Sequence, residues 1–574
     1  MQATTLVDIL RARADQHPQR SLYTFLKRAR EVEQELTFGA LDARARAIAA
    51  HLQDSSQVGD CAAVICPNDL SFTEAFMGCQ YAGVVPVPTP PLQGFHAVER
   101  LRAVFNAVSP VCIVTTSTVS ARLMSQSSKL PVLADLPHLC IDKIADHDRE
   151  QWRAPAIDDT TLAFLQFTSG SLSAPKGVKI SHGNILHNLS LLQRTFEHDE
   201  HSRIVSWLPF FHDWGLIGGL LQPLYSGVHG VLFDPLEFIR KPMSWLQVIS
   251  RFGATLSGAP NFAYERCTQT VRPEDFEDLN LGAWNAAIVG AEPIRAETLD
   301  RFTACFAQSG FEPRAFYPSY GLAESTLMVT GTRKSGIPVR LSIDRAALES
   351  GRIEHGIGTD VARSRTLVSC GPEVLEQRVC IVDTDLMRAC EPMRIGEIWV
   401  SGPSVGQGYW GLEADSADCF AATLDGDSGT RWLRTGDEGF IYDGELYVTG
   451  RIKDLIIVHG RNLYPEDIER VVSDAHPALN QGRGAAFSID LNESEQLIVV
   501  HELEFGERFN AESIVEEVRR AVVGVVGVPP ATVALVKVGS VPLTTSGKVQ
   551  RRACKNLYLG QALPCLHEWR TGAV

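Results

Sequence analysis

The stretch LQFTSGSLSAPKGVKIS, residues 165–181, gathers Thr168, Ser169, Gly170, Ser171, Ser173, Lys176 and Gly177 into one run. Backbone N–H groups freed by glycines, hydroxyl donors and one lysine suit a bound polyphosphate. The run is not a Walker A loop, because Pro175 and Gly177 stand where that pattern requires a glycine and a hydroxyl residue. Two further stretches carry reactive side chains. FFHDWGL sets His212 among Phe210, Phe211 and Trp214, which suits an apolar tunnel or a plain core. TTSGKVQRR presents Lys548 after small, flexible residues. Gly402-Pro-Ser404-Val-Gly406 matches the spacing of a nucleophile elbow, but Gln407-Gly408-Tyr409-Trp410 is a poor helix start, and an elbow needs a helix directly after it. Ser404 is therefore not expected to be a nucleophile.

The elements that must position these groups alternate between apolar runs and periodic segments. CAAVICPN (61–68), VCIVTT (111–116), RIVSWLP (203–209), GVLFDP (230–235), ATLSGAP (254–260) and AAIVGAEP (286–293) read as buried strands, with helical stretches such as SFTEAFMGCQYAG (71–83) between some of them. That is the βα alternation of parallel sheets, whose sites lie beyond the carboxyl ends of the strands. TLAFLQF reads as a strand entering the serine-rich loop, and SHGNILHNLSLLQRTF as a helix after VKI. From about residue 360 the texture changes to close-spaced strands with Gly and Asp turns: VSCG, QRVCIVD, GEIWVSG, EGFIYDG and ELYVTG. After GRIKD a small α+β unit begins, with Pro465 in the first turn of a helix that sets Ile468, Val471 and Val472 on one face.

At 574 residues the chain is too long for one core. A formal net charge of -15 argues against non-specific nucleic-acid binding. The KVQRR run with Lys555 is the candidate basic patch for an acidic partner. Thirteen scattered cysteines, with no CxxC pair, predict free thiols in a reducing compartment. The first residues predict an amphipathic helix ending near His17-Pro18, with no signal-peptide core, and no apolar stretch reaches membrane-spanning length. A cytoplasmic protein is the expectation.

Read in order, TSGS…PKG, GAEP, YGLAE, GEIWVSG, RTGD, GRIKD and TTSGK resemble the adenylate-forming superfamily of acyl-CoA synthetases, luciferases and peptide-synthetase adenylation domains, over about residues 160 to 550. LPFFHDWGLIGGLLQPLYSG (208–227) and the segment GIPVRLSIDRAALESGRI (336–353), inserted after YGLAE, resemble its fatty acyl-AMP ligase branch. The insert reads as a strand, PVRLSID, then a short helix capped by Asp344 and ended by Gly351. The resemblance implies that ATP and Mg²⁺ convert a fatty acid to an acyl-adenylate, which is passed to a separate, phosphopantetheinylated acyl carrier protein. The insert, about 331–357, is thought in that branch to limit movement of the small domain and so to disfavour coenzyme A.

The resemblance also implies roles. Thr168, Ser169, Gly170, Ser171 and Lys176 would cradle the outer phosphates; Leu172 departs from the threonine common there and lacks a donor. Tyr320 would lie on adenine, with Gly321 allowing close backbone approach, and Gly290, Ala291 and Glu292 would edge the base. Glu324 would ligate Mg²⁺, and Asp437 would accept the ribose hydroxyls, with Arg451 at the ribose or α-phosphate. His212 would sit at the mouth of the acyl pocket, with Asp213 near the nucleotide. Lys548 would bridge the carboxylate and the α-phosphate, and Lys453 would be the hinge. The expected fold is α/β: a large N-terminal domain, 1–450, of two βα-layered subdomains plus a small β-rich subdomain, then a small mobile α+β domain, 451–574. The part of the chain after Lys548 is too short for a fused carrier domain. A fatty acyl-CoA synthetase and a non-catalytic acyl- or nucleotide-binding relative are the alternatives. Chain length, carrier identity, pathway and oligomeric state are not legible at this level.

Overall fold

The computed structural model describes residues 3–92, 97–168, 175–356, 363–458, 461–479, 483–491, 494–503, 510–544 and 547–571. Ser169, Gly170, Ser171 and Leu172 lie outside them.

Two sheets carry the first part of the chain. The larger has eight strands, in the order Met328–Gly331, Phe316–Gly321, Ala286–Val289, Leu256–Ala259, Arg203–Ser206, His229–Phe233, Ser21–Lys27 and Glu31–Thr37. Its inner pairs are parallel and its two edge strands antiparallel. The smaller is parallel throughout: Val85–Pro88, Cys61–Ile65, Cys112–Thr115 and His138–Cys140. The six apolar runs read as strands all form strands here. Apart from the exposed Arg203 that opens one of them, their strand positions are buried on both faces and apolar or small rather than alternating. Helix Leu70–Ala82 fills the predicted crossover, capped by Asp69 and closed by Gly83 in the left-handed region. The amino-terminal helix, Leu6–Gln16, has a Thr5–Asp8 capping box and ends at His17.

Strand Leu162–Phe167 enters the serine-rich loop as predicted, but VKI belongs to a second strand, Gly177–Ser181, antiparallel to the first. The loop therefore tops a hairpin. Helix His182–Thr195 begins only beyond it, at a Ser181–Asn184 capping box. The helix N-terminus is thus at the far end of the second strand from Gly177.

The β-rich region forms a six-stranded sheet around one long strand, Asp427–Tyr442, which pairs with Gly396–Ser401 and Glu445–Arg451. From Ile456 onward a separate apolar core assembles, drawn only from residues beyond that point. It packs helices Pro465–Ala475 and Ala511–Val526 on the sheet Gly484–Leu491, Ser494–Leu503, Thr532–Lys537 and Cys565–Arg570. All thirteen cysteines are free. The KVQRR segment is not an open basic patch. Arg551 is held among Asp454, Glu466 and Glu469 at 2.7–3.0 Å, leaving Arg552 on the surface.

The inserted segment folds as expected, with strand Arg340–Asp344 and helix Arg345–Glu349 capped by Asp344. It meets the carboxyl-terminal unit through buried charges. Asp467 sits between Arg345 (2.9 Å) and Arg365 (3.4 Å), and Glu349 receives Arg461 at 2.6 Å. Burial would raise the Asp467 pKa, but Arg365 and Arg345 outweigh it and hold the carboxyl below its ordinary 3.8. Removing one partner of a buried pair strands the others. Asp467→Ala leaves two buried guanidiniums without a carboxylate, so the junction should weaken by about 3–5 kcal/mol. Limited proteolysis between residues 452 and 463 should accelerate while the large-sheet region stays resistant.

Candidate active site

The parallel strands deliver their following loops to one side, and a cavity of 1240 Å³ opens there. It is lined by Thr168, Lys176, His212, Asp213, Ala291, Glu292, Tyr320, Gly321, Glu324, Asp437, Arg451, Lys453 and Lys548. Every described site residue expected from the sequence except Gly290 therefore faces one space. Gly290 lies just behind: a Cβ there would come within 2.7 Å of the Ser319 carbonyl, so glycine lets two adjacent strand ends touch. The next residue, Ala291, takes φ +63°, a left-handed backbone unusual for alanine.

The Tyr320 hydroxyl donates to Asp437 Oδ2 at 2.8 Å, and Arg451 Nε donates to Asp437 Oδ1 at 3.1 Å. Each carboxylate oxygen keeps a further acceptor position. Asp437 is brought here by the long central strand and Arg451 by the strand antiparallel to it, where the two are register partners. The fold itself requires glycine at 321, because a Cβ there would lie 1.9 Å from the Leu327 carbonyl.

Glu324 lies on a short 3₁₀ turn, Ala323–Ser325. Tyr409 donates to its Oε1 at 3.0 Å, and burial pushes its carboxyl above the ordinary range. Asp213 accepts from the Trp214 backbone N–H at 2.7 Å and pairs with His212 Nδ1. Burial would raise the Asp213 pKa, but His212 and then Lys548 hold it below the usual value. Glu292 accepts from the Phe262 N–H at 2.6 Å, and burial raises its pKa. Lys548 reaches this cluster from the carboxyl-terminal unit. Its loop is pinned by Thr544, which exchanges hydrogen bonds of 2.7 and 3.0 Å with the Lys548 backbone. Burial and Arg451 depress the Lys548 pKa, while Asp213, Glu292 and Asp437 oppose the shift. Lys453 sits exposed in the 3₁₀ turn Ile452–Asp454, immediately after the last strand of the β-rich sheet.

The apolar lining runs down one face of the large sheet, from Ala291 to Ile204 and Leu256, which are register partners near the strands' amino ends. Opposite stands a π-helix, Trp214–Leu221, which the sequence reading did not foresee. Its residues Trp214 and Gly218, with Gln222 beyond it, face the cavity. The Trp214 ring rests on two glycines: added Cβ atoms at Gly218 and Gly258 would lie 2.9 and 2.7 Å from it. Sequence reasoning also missed Asp415, which binds Lys176 at 2.7 Å, and Arg483, a cavity-lining cation from the carboxyl-terminal unit.

Ser404 does have a histidine and a carboxylate in line. Its Oγ lies 2.7 Å from His187 Nδ1, whose Nε2 lies 2.7 Å from Glu376. The hydroxyl is fully buried, also takes Asn188 at 3.0 Å, and lies off the cavity with no helix after it. It ties the loop to helix His182–Thr195 and does not act as a nucleophile.

Residues 10–410 match the family model described as AMP-binding enzyme, and residues 453–568 that described as Disco-interacting protein 2-like, AMP domain. The chain belongs to the AMP-binding enzyme family. It is 40% identical over 564 residues to the medium-chain-fatty-acid–acyl-carrier-protein ligase JamA of Moorena producens, covering 97% of this chain and 95% of that one. It is 36% identical to the long-chain-fatty-acid–AMP ligase FadD32 of Mycolicibacterium smegmatis, covering 94% and 92%. The crystal structure of a fatty acyl-adenylate ligase from Legionella pneumophila, in complex with acyl adenylate and pyrophosphate, superposes with a TM-score of 0.77 at 35% identity, covering 100% and 99%. Within its superfamily this AMP-binding enzyme is a fatty acyl-AMP ligase.

Hydrogen bonds to charged groups are worth about 1.5–3 kcal/mol. In this ligase Asp437→Ala should therefore weaken AMP binding about tenfold to a hundredfold by calorimetry, and lower the thermal midpoint because the buried Tyr320 hydroxyl loses its acceptor.

Proposed function

We propose that the protein activates a medium- or long-chain fatty acid as its acyl-adenylate, releasing pyrophosphate, and transfers the acyl group to the phosphopantetheine thiol of an acyl carrier protein. The observation that carries this reading is the convergence of Lys548, Asp437 and Tyr320 on one cavity that continues as an apolar trough down the sheet. A fatty acid in the trough presents its carboxylate near Lys548. One carboxylate oxygen attacks the α-phosphorus, and the bond to pyrophosphate breaks. Two anions must meet, and the Lys548 ammonium offsets their repulsion. Tyr320 and Asp437 orient the nucleoside, and Lys176 meets the outer phosphates. The thiol of the carrier then attacks the acyl carbonyl and AMP leaves.

Glu324 is the carboxylate that fits Mg²⁺, an ion that keeps several waters and uses one or two carboxylates plus substrate phosphates. Among the described residues no cluster of three His, Cys, Asp or Glu side chains forms a protein cage, which agrees with an ion shared with the nucleotide. When bound it would offset phosphate charge.

We place the domain boundary at 450/451 and the hinge at Lys453, a division supported by the independent core that starts at Ile456. The ion pairs of the insert with Asp467 and Arg461 would hold the small domain as it stands, which supports carrier protein over coenzyme A as acceptor. Among the described residues no helix is long and apolar enough to cross a membrane. Together with the free thiols, this supports a cytoplasmic location.

The deciding experiment is laurate-dependent exchange of labelled pyrophosphate into ATP, with mass spectrometry of products formed with carrier protein or coenzyme A. Exchange with carrier acylation is expected. Absence of fatty-acid-dependent exchange removes the reading, and abundant acyl-CoA moves it to the synthetase alternative. Lys548→Ala should lower adenylation by about two orders of magnitude or more. In the wild type the rate should fall as pH rises through a Lys548 pKa below 10.5, because the depressed group loses its charge early. A second expectation concerns the trough. Gly218→Val should reduce kcat/KM for laurate more than for hexanoate, measured by the same exchange.

A further inference from the structure

We propose that Asp415 is a positioning residue that exchanges Lys176 with the outer phosphates, and so sets how tightly pyrophosphate is held. Resting on the adenylation reading above, it adds a component to the phosphate corner.

Lys176 is the one lysine of the serine-rich loop. In the structure its ammonium does not point freely into the cavity. It lies 2.7 Å from Asp415 Oδ2 and 4.8 Å from the centre of the Tyr409 ring. Tyr409 in turn donates to Glu324. Asp415 also lines the cavity and comes from the first turn of helix Glu413–Phe420, just after the turn that carries Tyr409. The four groups therefore form a chain, Asp415–Lys176–Tyr409–Glu324, along one wall of the cavity.

A lysine cannot give its full charge to a phosphate while a carboxylate holds it at 2.7 Å. Binding the triphosphate must draw Lys176 away from Asp415, and release of pyrophosphate lets the pair re-form. Both side chains are roughly half exposed, 40% and 49%. The pair is then worth little, about 0.2–1 kcal/mol. That is enough to bias an exchange without locking the lysine. A deep pair would block ATP, and no pair would leave the product held by an idle cation. Tyr409 keeps the ammonium over its ring in the meantime, an attraction suited to a cation in transit.

The test uses the full chain. Pyrophosphate is titrated by calorimetry into wild type, Asp415→Asn, Lys176→Ala and the double variant. Asp415→Asn should bind pyrophosphate about two- to fivefold more tightly, the range that a surface pair of this kind can supply. In the Lys176→Ala background the same substitution should change nothing, since Asp415 acts through the lysine. Glu413→Gln removes a like charge from the same helix without touching Lys176, and should leave pyrophosphate binding unaltered. In the exchange assay, Asp415→Asn should lower the KM for ATP and the inhibition constant of pyrophosphate together, with the KM for laurate unchanged. Unchanged or weaker pyrophosphate binding in Asp415→Asn overturns the proposal. So does a tightening that persists without Lys176, which would mark plain charge repulsion. The calorimetry needs no fatty acid, so loss of laurate-dependent exchange in the wild type would strike the functional reading and leave this result standing.

Discussion

Bringing a carboxylate against a phosphate is opposed by charge, and under the proposed reaction the cation that meets that opposition is Lys548. Lys548 is partly buried in the cavity, and an ammonium drawn out of water is costly unless it is paired. Asp213, Glu292 and Asp437 supply the balancing field, and each comes from a different element: the start of the π-helix, the loop after Ala286–Val289, and the long central strand of the β-rich sheet. The cluster is therefore complete only when the eight-stranded sheet, the β-rich sheet and the carboxyl-terminal unit are docked together. Arg451, a like charge nearby, keeps the lysine from being over-stabilised by its acids.

The docking is itself electrostatic where the inserted segment meets helix Pro465–Ala475. Asp467 between two arginines is a stiff, directional joint, unlike the apolar packing of Leu341, Ile343 and Tyr464 beside it. Apolar surfaces slide at small cost, whereas a carboxylate held by two guanidiniums has one good position. These pairs, from the insert's Arg345 and Glu349 and from Arg365 beyond it, hold the carboxyl-terminal unit where it stands, and Lys548 with it.

Much of this was legible in the sequence, and for physical reasons. A strand buried on both faces must be apolar at every position, so Cys61–Ile65 and Ala286–Val289 announce themselves. Caps were readable because Asp344 competes for backbone N–H groups in a way few residues can. The serine-rich loop stood out by composition and the helix after VKI was placed correctly, but VKI is too short to reveal that it pairs with the strand before it. The long strand Asp427–Tyr442 was seen only at its apolar end, since Arg431, Arg434 and two glycines hide the rest. Asp415 left no signal, because an acid that serves a lysine far away in the chain resembles any solvated helix carboxylate. Arg551 misled in the opposite sense: a run of basic residues reads as surface until its acidic partners are seen.

The π-helix deserves a different kind of attention, because its geometry ties chain length to pocket shape. Such a turn is an α-helical turn with one residue too many. Loss of a single residue between Trp214 and Leu221 would restore ordinary winding and swing everything on one side by about 100°. The indole that now walls the trough would then leave it, and the sheet face with Ile204 and Leu256 would be uncovered. Relatives that differ here by one codon triplet would thus carry differently cut tunnels on an unchanged framework, a route to new substrates that needs no change to the nucleotide half of the machine.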